Sequence, residues 1–531
     1  MREQRAFGAR DRAPNLRNCE LTTVNCLLTW GVIIRDMLLS ELTRHLNDAR
    51  VAVAGDAEIA GITYDSREVQ PGWLFLAMQG GSFDGHRFIA NAVEAGAAAV
   101  IAEREVDGVS VPCVIVPDGR TAMGQIAPPF FDYPSRKMKL IGVTGTSGKT
   151  TVTHLIQSIF NTSGQPAGLI GTLGARIGDE LIETKHTTPE SIDLQRNLAH
   201  MVERGVKVVA IEASSHGLYQ GRTLGCEFDC GVFTNIARDH LDFHGTLEAY
   251  LDAKLILFRE YPARSAKRFV AAINADDPSA DGVKEATKGE IITFAVENPA
   301  DLTASNIEVT DRSVRFDMTY QAKSVPIGLE IGGFFNVYNA LAAAAAAIGL
   351  GLDMDTVVMG LAAAHRVPGR FESVDCGQDF GVIVDYAHTP DELENVLRTA
   401  KSLTTNRLIA VFGCGGDRDR GKRPIMGRIG SDLADIIVVT SDNPRTEDPE
   451  SIIAMVLEGI PESERPRATV QPDRREGIRE AISRAKAGDV VVIAGKGHED
   501  YQIFADRTIH FDDREVAREV LAECSRSQPK M

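Results

Sequence analysis

The sequence predicts an α/β protein of three units, and three observations carry that expectation. The chain has 531 residues, past the size at which a single hydrophobic core keeps growing. From Leu140 onward, apolar runs lead into polar loops and then helical stretches, the pattern of a parallel sheet with crossover helices. Between one such run and one such helix stands Gly145-Thr146-Ser147-Gly148-Lys149-Thr150-Thr151, a turn that can fold its N–H groups around phosphate.

The elements follow in order. Residues 1–36 mix Arg-rich polar sequence with a short apolar run, Cys26 to Ile34, too short to cross a bilayer and unlike a signal peptide. They read as a disordered or misassigned extension, with the true start at Met37, because Met37 opens the periodic segment LLSELTRHL. Over 37–135 short strands are expected at Ala60 to Tyr64, Trp73 to Ala77, Ala97 to Ala102 and Val111 to Val116, with a helix at Phe88 to Ala95. The stretch Ala127 to Lys139, with three prolines, reads as a linker. The second unit is 136–364. In it Val152, Leu155, Ile156, Ile159 and Phe160 lie on one face of a helix that Gly164 ends, and an Ala-rich helix runs from Tyr338 to Gly349. The third unit, 365–531, has strands at Val382 to Asp385, Leu408 to Phe412, Ile436 to Thr440 and Val490 to Ala494, each running into a polar loop. In open sheets of this kind ligands sit beyond the carboxyl ends of the strands.

Composition narrows the classes. With 57 basic and 74 acidic residues the net charge is −17, against a nucleic-acid or membrane-surface binder, which needs a basic face. Eight cysteines without a CxxC pair read as reduced thiols in a reducing compartment. A cytoplasmic monomer acting on small molecules is the expectation.

The phosphate turn departs from the GxxxxGK[ST] spacing, since position 143 is valine. Its lysine, Lys149, would still offset phosphate charge, and Thr150 is placed to reach Mg2+. Glu212 ends the apolar run Val208 to Ile211, at the strand edge where a second metal ligand belongs, and His240 follows in a polar loop. Alone, each of these residues would more often be a satisfied polar side chain. The case rests on their succession downstream of the phosphate turn.

Taken together, Gly145 to Thr151, Glu212-Ala213-Ser214-Ser215-His216, Asp239-His240-Leu241-Asp242 and Tyr250-Leu251-Asp252-Ala253-Lys254 resemble the central domain of the Mur ligase family. Phe335 to Asn339, Gly369-Arg370-Phe371-Glu372 and Asp385-Tyr386-Ala387-His388-Thr389-Pro390 extend the resemblance into the third unit. It covers essentially everything after Met37. It implies a small α/β UDP-binding domain, a central P-loop ATPase-like parallel-sheet domain and a C-terminal Rossmann-like domain. It further implies that Lys254 is carbamoylated by CO2 (N6-carboxylysine) and helps hold Mg2+ with Thr150, Glu212 and His240. Asn339, Arg370 and His388 are implied to bind or close over ATP. One departure is Ser147, where family members commonly carry asparagine.

For the substrate, the resemblance points to the outer domains. Tyr64-Asp65-Ser66-Arg67 and Gly85-His86-Arg87-Phe88-Ile89 resemble a uridine-diphosphate pocket, with Ser66 a contact. Thr187, Thr188, Ser214, Gln220 and Arg222 resemble the segments that grip a muramoyl dipeptide. Arg418, Asp442, Asn443, Pro444, Arg445, Gly495 and Glu499 lie in three loops that resemble a meso-diaminopimelate site, where an arginine fork would suit the distal carboxylate better than lysine. The implied activity is ATP-dependent addition of meso-diaminopimelate to UDP-N-acetylmuramoyl-L-alanyl-D-glutamate through an acyl phosphate. A lysine-adding or folylpolyglutamate-type ligase, a P-loop regulatory protein and a non-catalytic scaffold are the alternatives. No NKxD guanine signature supports the regulatory one.

Overall fold

The computed structural model describes residues 37–80 and 84–527. The expected extension 1–36 therefore lies outside the described residues; the periodic segment after Met37 forms a short helix at Leu39–Thr43.

Three sheets follow one another along the chain. The first has five strands in the order Arg50–Val53, Cys113–Ile115, Ala99–Ala102, Trp73–Ala77, Gly61–Thr63. All its pairings are parallel except that of Arg50–Val53 with Cys113–Ile115. Each expected strand is present, Trp73–Ala77 with the expected bounds and the other three shorter by two or three residues. The expected linker is a correction: Gly119–Phe130 is one helix that contains Pro128 and Pro129, and Pro134–Lys137 is a 3-10 turn. Both prolines fall in the last turn of the helix. Each proline leaves a carbonyl of the preceding turn without its i→i−4 donor, and at the end of the helix only the last turn is affected. Leu224 packs over Gly124 and Gly225 over Pro128, so this stretch is pressed against the second unit rather than spanning a gap.

The second sheet has eleven strands. Seven of them are parallel, from Ala167–Gly171 through Val208–Glu212, Lys139–Thr144, Cys230–Phe233, Val270–Asn274 and Glu290–Ala295 to Leu302–Val309. Lys139–Thr144 lies between Val208–Glu212 and Cys230–Phe233, so the turn that follows it opens where the strand order reverses. From Leu302–Val309 onward, Val314–Tyr320 and Lys323–Leu329 form an antiparallel extension that the sequence reading did not anticipate. The helix Lys149–Thr162 buries Val152, Leu155, Ile156, Ile159 and Phe160 against one sheet face, and Gly164, with φ 77°, follows its end. The Ala-rich helix begins earlier than expected, at Phe335, and runs to Gly349. Ala340 and Ala342 to Ala347 are all buried; their small side chains let it lie close to the sheet and to the phosphate-turn helix.

The third sheet has the order Glu372–Ser373, Gly381–Asp385, Val490–Ala494, Leu408–Phe412, Ile436–Thr440, Ala468–Gln471. It is parallel apart from Glu372–Ser373. The four expected strands match within a residue, and their carboxyl ends share one edge. No helix among the described residues is long and apolar enough to cross a membrane.

Candidate active site

The phosphate turn connects strand Lys139–Thr144 to helix Lys149–Thr162. Gly148 caps that helix at φ 88°, and a Cβ there would stand 2.4 Å from the side-chain oxygen of Asn339. Only glycine accepts both the backbone angle and the close approach. The turn is held from the next loop: Asn235 accepts from the Ser147 N–H at 2.9 Å, and Thr234 donates to the Ser147 carbonyl at 2.7 Å. Lys149 Nζ donates to the carbonyls of Gly145 and Thr146 at 3.0 and 2.7 Å.

Lys254 reaches the same turn from helix Leu247–Arg259. It is 1% exposed, donates to the Gly145 carbonyl at 2.8 Å, and lies 4.1 Å from the centroid of the Tyr250 ring. No carboxylate among the described residues pairs with it. Burial, reinforced by the charge of Lys149, holds its pKa well below the usual lysine range. Such an amine keeps a neutral, nucleophilic fraction, and a carbamate formed on it would place an anion beside Lys149. The residues present therefore fit the modification.

Glu212 ends strand Val208–Glu212 and is buried; its two oxygens accept from the N–H and hydroxyl of Thr172 at 2.9 and 3.1 Å. His240 adopts φ 53° at the start of the short helix Leu241–His244, 3.2 Å from Asp239. Partial burial and then the charges of Lys149 and Lys254 push its pKa down to about 3, so the imidazole is neutral and keeps a lone pair for a cation. Thr150 accepts from Arg370 at 3.1 Å. No group of three or more His, Cys, Asp or Glu residues among those described is gathered to hold a metal unaided. Phosphate oxygens and a carbamate would have to complete the ligand set that Thr150, Glu212 and His240 begin, and Mg2+, which prefers such oxygens, fits.

Beside the turn lies a cavity of about 530 Å³, the size of a small-ligand site. It is lined by Gly148, Thr150, Asn274, Asp277, Phe335 and Tyr338 from the second unit, and by Arg370 and Glu392 from the third. The sequence reading brought Asn339 and Arg370 to this place but missed the far wall. Asn274 ends strand Val270–Asn274, and its position at a carboxyl end was the one available signal. His388 sits next to the cavity rather than lining it, with its ring on the Tyr386 carbonyl at 2.9 Å and 3.2 Å from Glu392.

Arg370 also connects the turn to the loops of the third sheet. Its guanidinium lies 4.7 Å from the centroid of Tyr386, and that ring is 4.8 Å from His498. Here the three loops proposed for an amino acid meet. Asn443 Nδ2 donates to Glu499 at 2.8 Å, and Lys496 Nζ donates to both Glu499 and Asn443, at 3.1 and 3.3 Å. Arg445, at φ 54°, donates to the Gly416 carbonyl at 2.9 Å, and Arg418 donates to the Asp417 carbonyl. Among the described residues no carboxylate lies within salt-bridge distance of Arg418 or Arg445. Asp442 and Pro444 are buried beneath this edge, and Gly495 adopts φ 120° with Asp442 close above it. Lys496 was the residue overlooked, although a lysine placed directly after an all-apolar strand is itself a signal.

The segments expected to hold a muramoyl dipeptide gather at the junction of the first and second units. Thr188 donates to the Glu212 carbonyl at 2.7 Å and is 2.8 Å from the Ser214 hydroxyl, while Thr187 is 3.2 Å from Thr172. Gln220 presents a buried side-chain oxygen without a partner. Arg222 was expected to be available to an anion; instead Glu190 sits 3.1 Å from it, and Glu190 also faces Arg120 at 3.6 Å. Ser66 lies in the first unit between Asp65 and Arg67, which are paired with each other. The neighbouring Tyr64 hydroxyl donates to Asp193 of the second unit at 2.6 Å.

Comparison with known proteins agrees with this layout. Family models match in chain order: the Mur ligase family catalytic domain over 58–130, the Mur ligase middle domain over 143–347 and the Mur ligase glutamate ligase domain over 369–497. The chain is 46% identical over 489 residues to a UDP-N-acetylmuramoyl-L-alanyl-D-glutamate--2,6-diaminopimelate ligase of Geobacillus thermodenitrificans, covering 92% of this chain and 100% of that one. It is 45% identical over 486 residues to the enzyme of the same name from Listeria monocytogenes, covering 91% and 98%. Among solved structures, a ligase of that name superimposes with a TM-score of 0.64 at 36% identity, over 92% of this chain and 100% of that one. A Mycobacterium tuberculosis folylpolyglutamate synthase complexed with ADP and AMPPCP shares the fold alone, with a TM-score of 0.58 at 18% identity over 77% of this chain and 96% of that one.

Proposed function

The chain belongs to the Mur ligase family, and from that premise we propose that it joins meso-diaminopimelate to the D-glutamate γ-carboxylate of UDP-N-acetylmuramoyl-L-alanyl-D-glutamate, with ATP converted to ADP and phosphate. The observation that carries this reading is the pair of arginines with no carboxylate in salt-bridge distance among the described residues, Arg418 and Arg445, in a cleft linked through Tyr386 and Arg370 to the phosphate turn. An uncompensated guanidinium at a strand edge is matched by a substrate carboxylate, and meso-diaminopimelate carries one at its distal end. Domains over 37–135, 136–364 and 365–531, a cytoplasmic location and a role in building the cell wall belong to the same reading.

A γ-carboxylate oxygen attacks the terminal phosphorus of ATP, the bond to the bridging oxygen breaks, and ADP leaves. The incoming amine then attacks the acyl carbon, phosphate departs, and the amine loses a proton as the amide forms. Lys149 and the N–H groups of the turn offset charge on the phosphates, and Arg370 approaches them from the third domain. Thr188, Ser214, Gln220 and Arg222 hold the dipeptide, with Arg222 oriented by Glu190. Thr150, Glu212, His240 and carbamoylated Lys254 would hold Mg2+, which when bound draws charge from the phosphoryl oxygens.

Phosphate release with UDP-muramoyl dipeptide and ATP, measured across meso-diaminopimelate, L-lysine and glutamate, tests the proposal. Turnover is expected with meso-diaminopimelate. Preference for lysine or glutamate, or ATP consumed without an amide product, would overturn it.

A further inference from the structure

Lys496 is 0% exposed, and a buried ammonium is costly unless it is matched. Its match is Glu499, 3.1 Å from Nζ, with the side-chain oxygen of Asn443 at 3.3 Å. Asn443 donates to the same Glu499 oxygen at 2.8 Å and accepts from the Ile503 N–H at 3.0 Å. The ammonium also lies 5.4 Å from the centroid of the Tyr501 ring. Two side chains, from two separate loops, thus donate to one carboxylate oxygen. Lys496 is too deep to touch an amino acid in the cleft, so any effect it has must pass through Asn443 and Glu499.

The charges have a consequence for selection. Glu499 is already neutralised from below, while Arg418 and Arg445 above it have no carboxylate of their own among the described residues. Asp442 is offset by the buried Arg474 and the exposed Asp417 acts on Arg445 only through space, so the two guanidiniums are what the cleft leaves without an ion pair among the described residues. A side chain ending in an ammonium beside a carboxylate completes this set. A bare ammonium meets a carboxylate that is already paired and leaves the arginines uncompensated.

Resting on the ligase reading above, we propose that Lys496 is a positioning and specificity-determining residue: it clamps Asn443 and Glu499 into one unit and cancels the Glu499 charge, so that the cleft takes an amino acid with a distal carboxylate and rejects one ending in a bare ammonium.

The test is steady-state ligation by the full-length protein with meso-diaminopimelate and with L-lysine. In Lys496→Met the KM for meso-diaminopimelate rises at least about tenfold with kcat changed much less, and the preference for it over lysine falls at least about tenfold. The KM for ATP stays as in the wild type, and Lys496→Arg recovers part of the preference. In a Glu499→Gln background Lys496→Met removes the ammonium that Glu499→Gln leaves uncompensated, so it eases lysine use relative to Glu499→Gln alone. A Lys496→Met protein with wild-type ATP kinetics and unchanged preference would overturn the proposal, as would lysine use that Lys496→Met leaves unchanged in the Glu499→Gln background. If Lys496→Met fails to fold, Glu499→Gln alone decides: with Lys496 left uncompensated it must reject lysine more strongly, and improved lysine use sinks the idea. Wild-type protein that never ligates meso-diaminopimelate refutes the ligase reading instead.

Discussion

Lys254 is a side chain whose burial costs stability and for which a role in the chemistry is proposed. Burial and the charge of Lys149 depress its pKa, so the folded state holds that proton more weakly than the unfolded chain does. In CO2-free protein, stability from this group is therefore missing at neutral pH and rises as pH climbs from the depressed value toward about 10.4, the unfolded value. Lys254→Met removes the proton-linked cost. In CO2-free buffer at neutral pH the variant should melt about 2 °C or more above the wild type, yet ligate at least about a hundredfold more slowly. A lower melting temperature, or retained turnover, would contradict the account. At the same scale Arg222 and Glu499 were read as contacts for substrate, and each is engaged in the fold by a partner within the protein, Glu190 and Lys496. Such pairings depend on which backbones the fold brings together.

Among the elements, the loops at the carboxyl edge of the third sheet decide the geometry. Asp385 ends strand Gly381–Asp385 and accepts from the N–H groups of Phe371 and Ala387 at 2.7 Å each, so the Arg370 and His388 loops move as one piece. Burial raises this carboxyl to about 6. Gly369 crosses the His498 loop at φ 66°, where a Cβ would stand 2.0 Å from the His498 nitrogen. Backbone cannot yield as a side-chain tip can. Gly369→Ala should therefore separate the two loops, cost about 1–2 kcal/mol for the backbone angle alone, and reduce ligation at least about tenfold. Urea unfolding and turnover would measure both, and a variant with wild-type stability would show that the crossing is loose. The strands bearing these loops were legible because each is a continuous apolar run, whereas the helix through Pro128 and Pro129 was not, since proline reads locally as a breaker and only packing reveals it as the last turn of a helix.

Across the whole molecule, the phosphate turn and the amino-acid loops belong to different sheets, and Arg370 spans between them by donating to Thr150. Catalysis requires both sets of groups on one substrate at once, so the third domain should draw in when ligands bind. Small-angle scattering with ATP and the UDP-muramoyl dipeptide should show compaction in the wild type. Arg370→Ala should lose most of that compaction and bind ATP more weakly. Equal scattering profiles with and without ligands would count against domain closure. The first domain should take little part in this motion, because Tyr64 is bonded to Asp193 and Arg196 to the Ile62 carbonyl.

Sequence alone determined the three-unit α/β plan, the phosphate turn and the strand-end motifs, since these rest on local periodicity and on residue types whose chemistry needs no partner to be recognised. The tertiary structure alone decided the rest. The far wall of the nucleotide cavity, the burial that lowers Lys254, the Glu190 and Lys496 pairings and the crossing at Gly369 arise between segments distant in the chain. Burial and through-space charge are properties of the packed molecule, and no stretch of sequence carries them by itself.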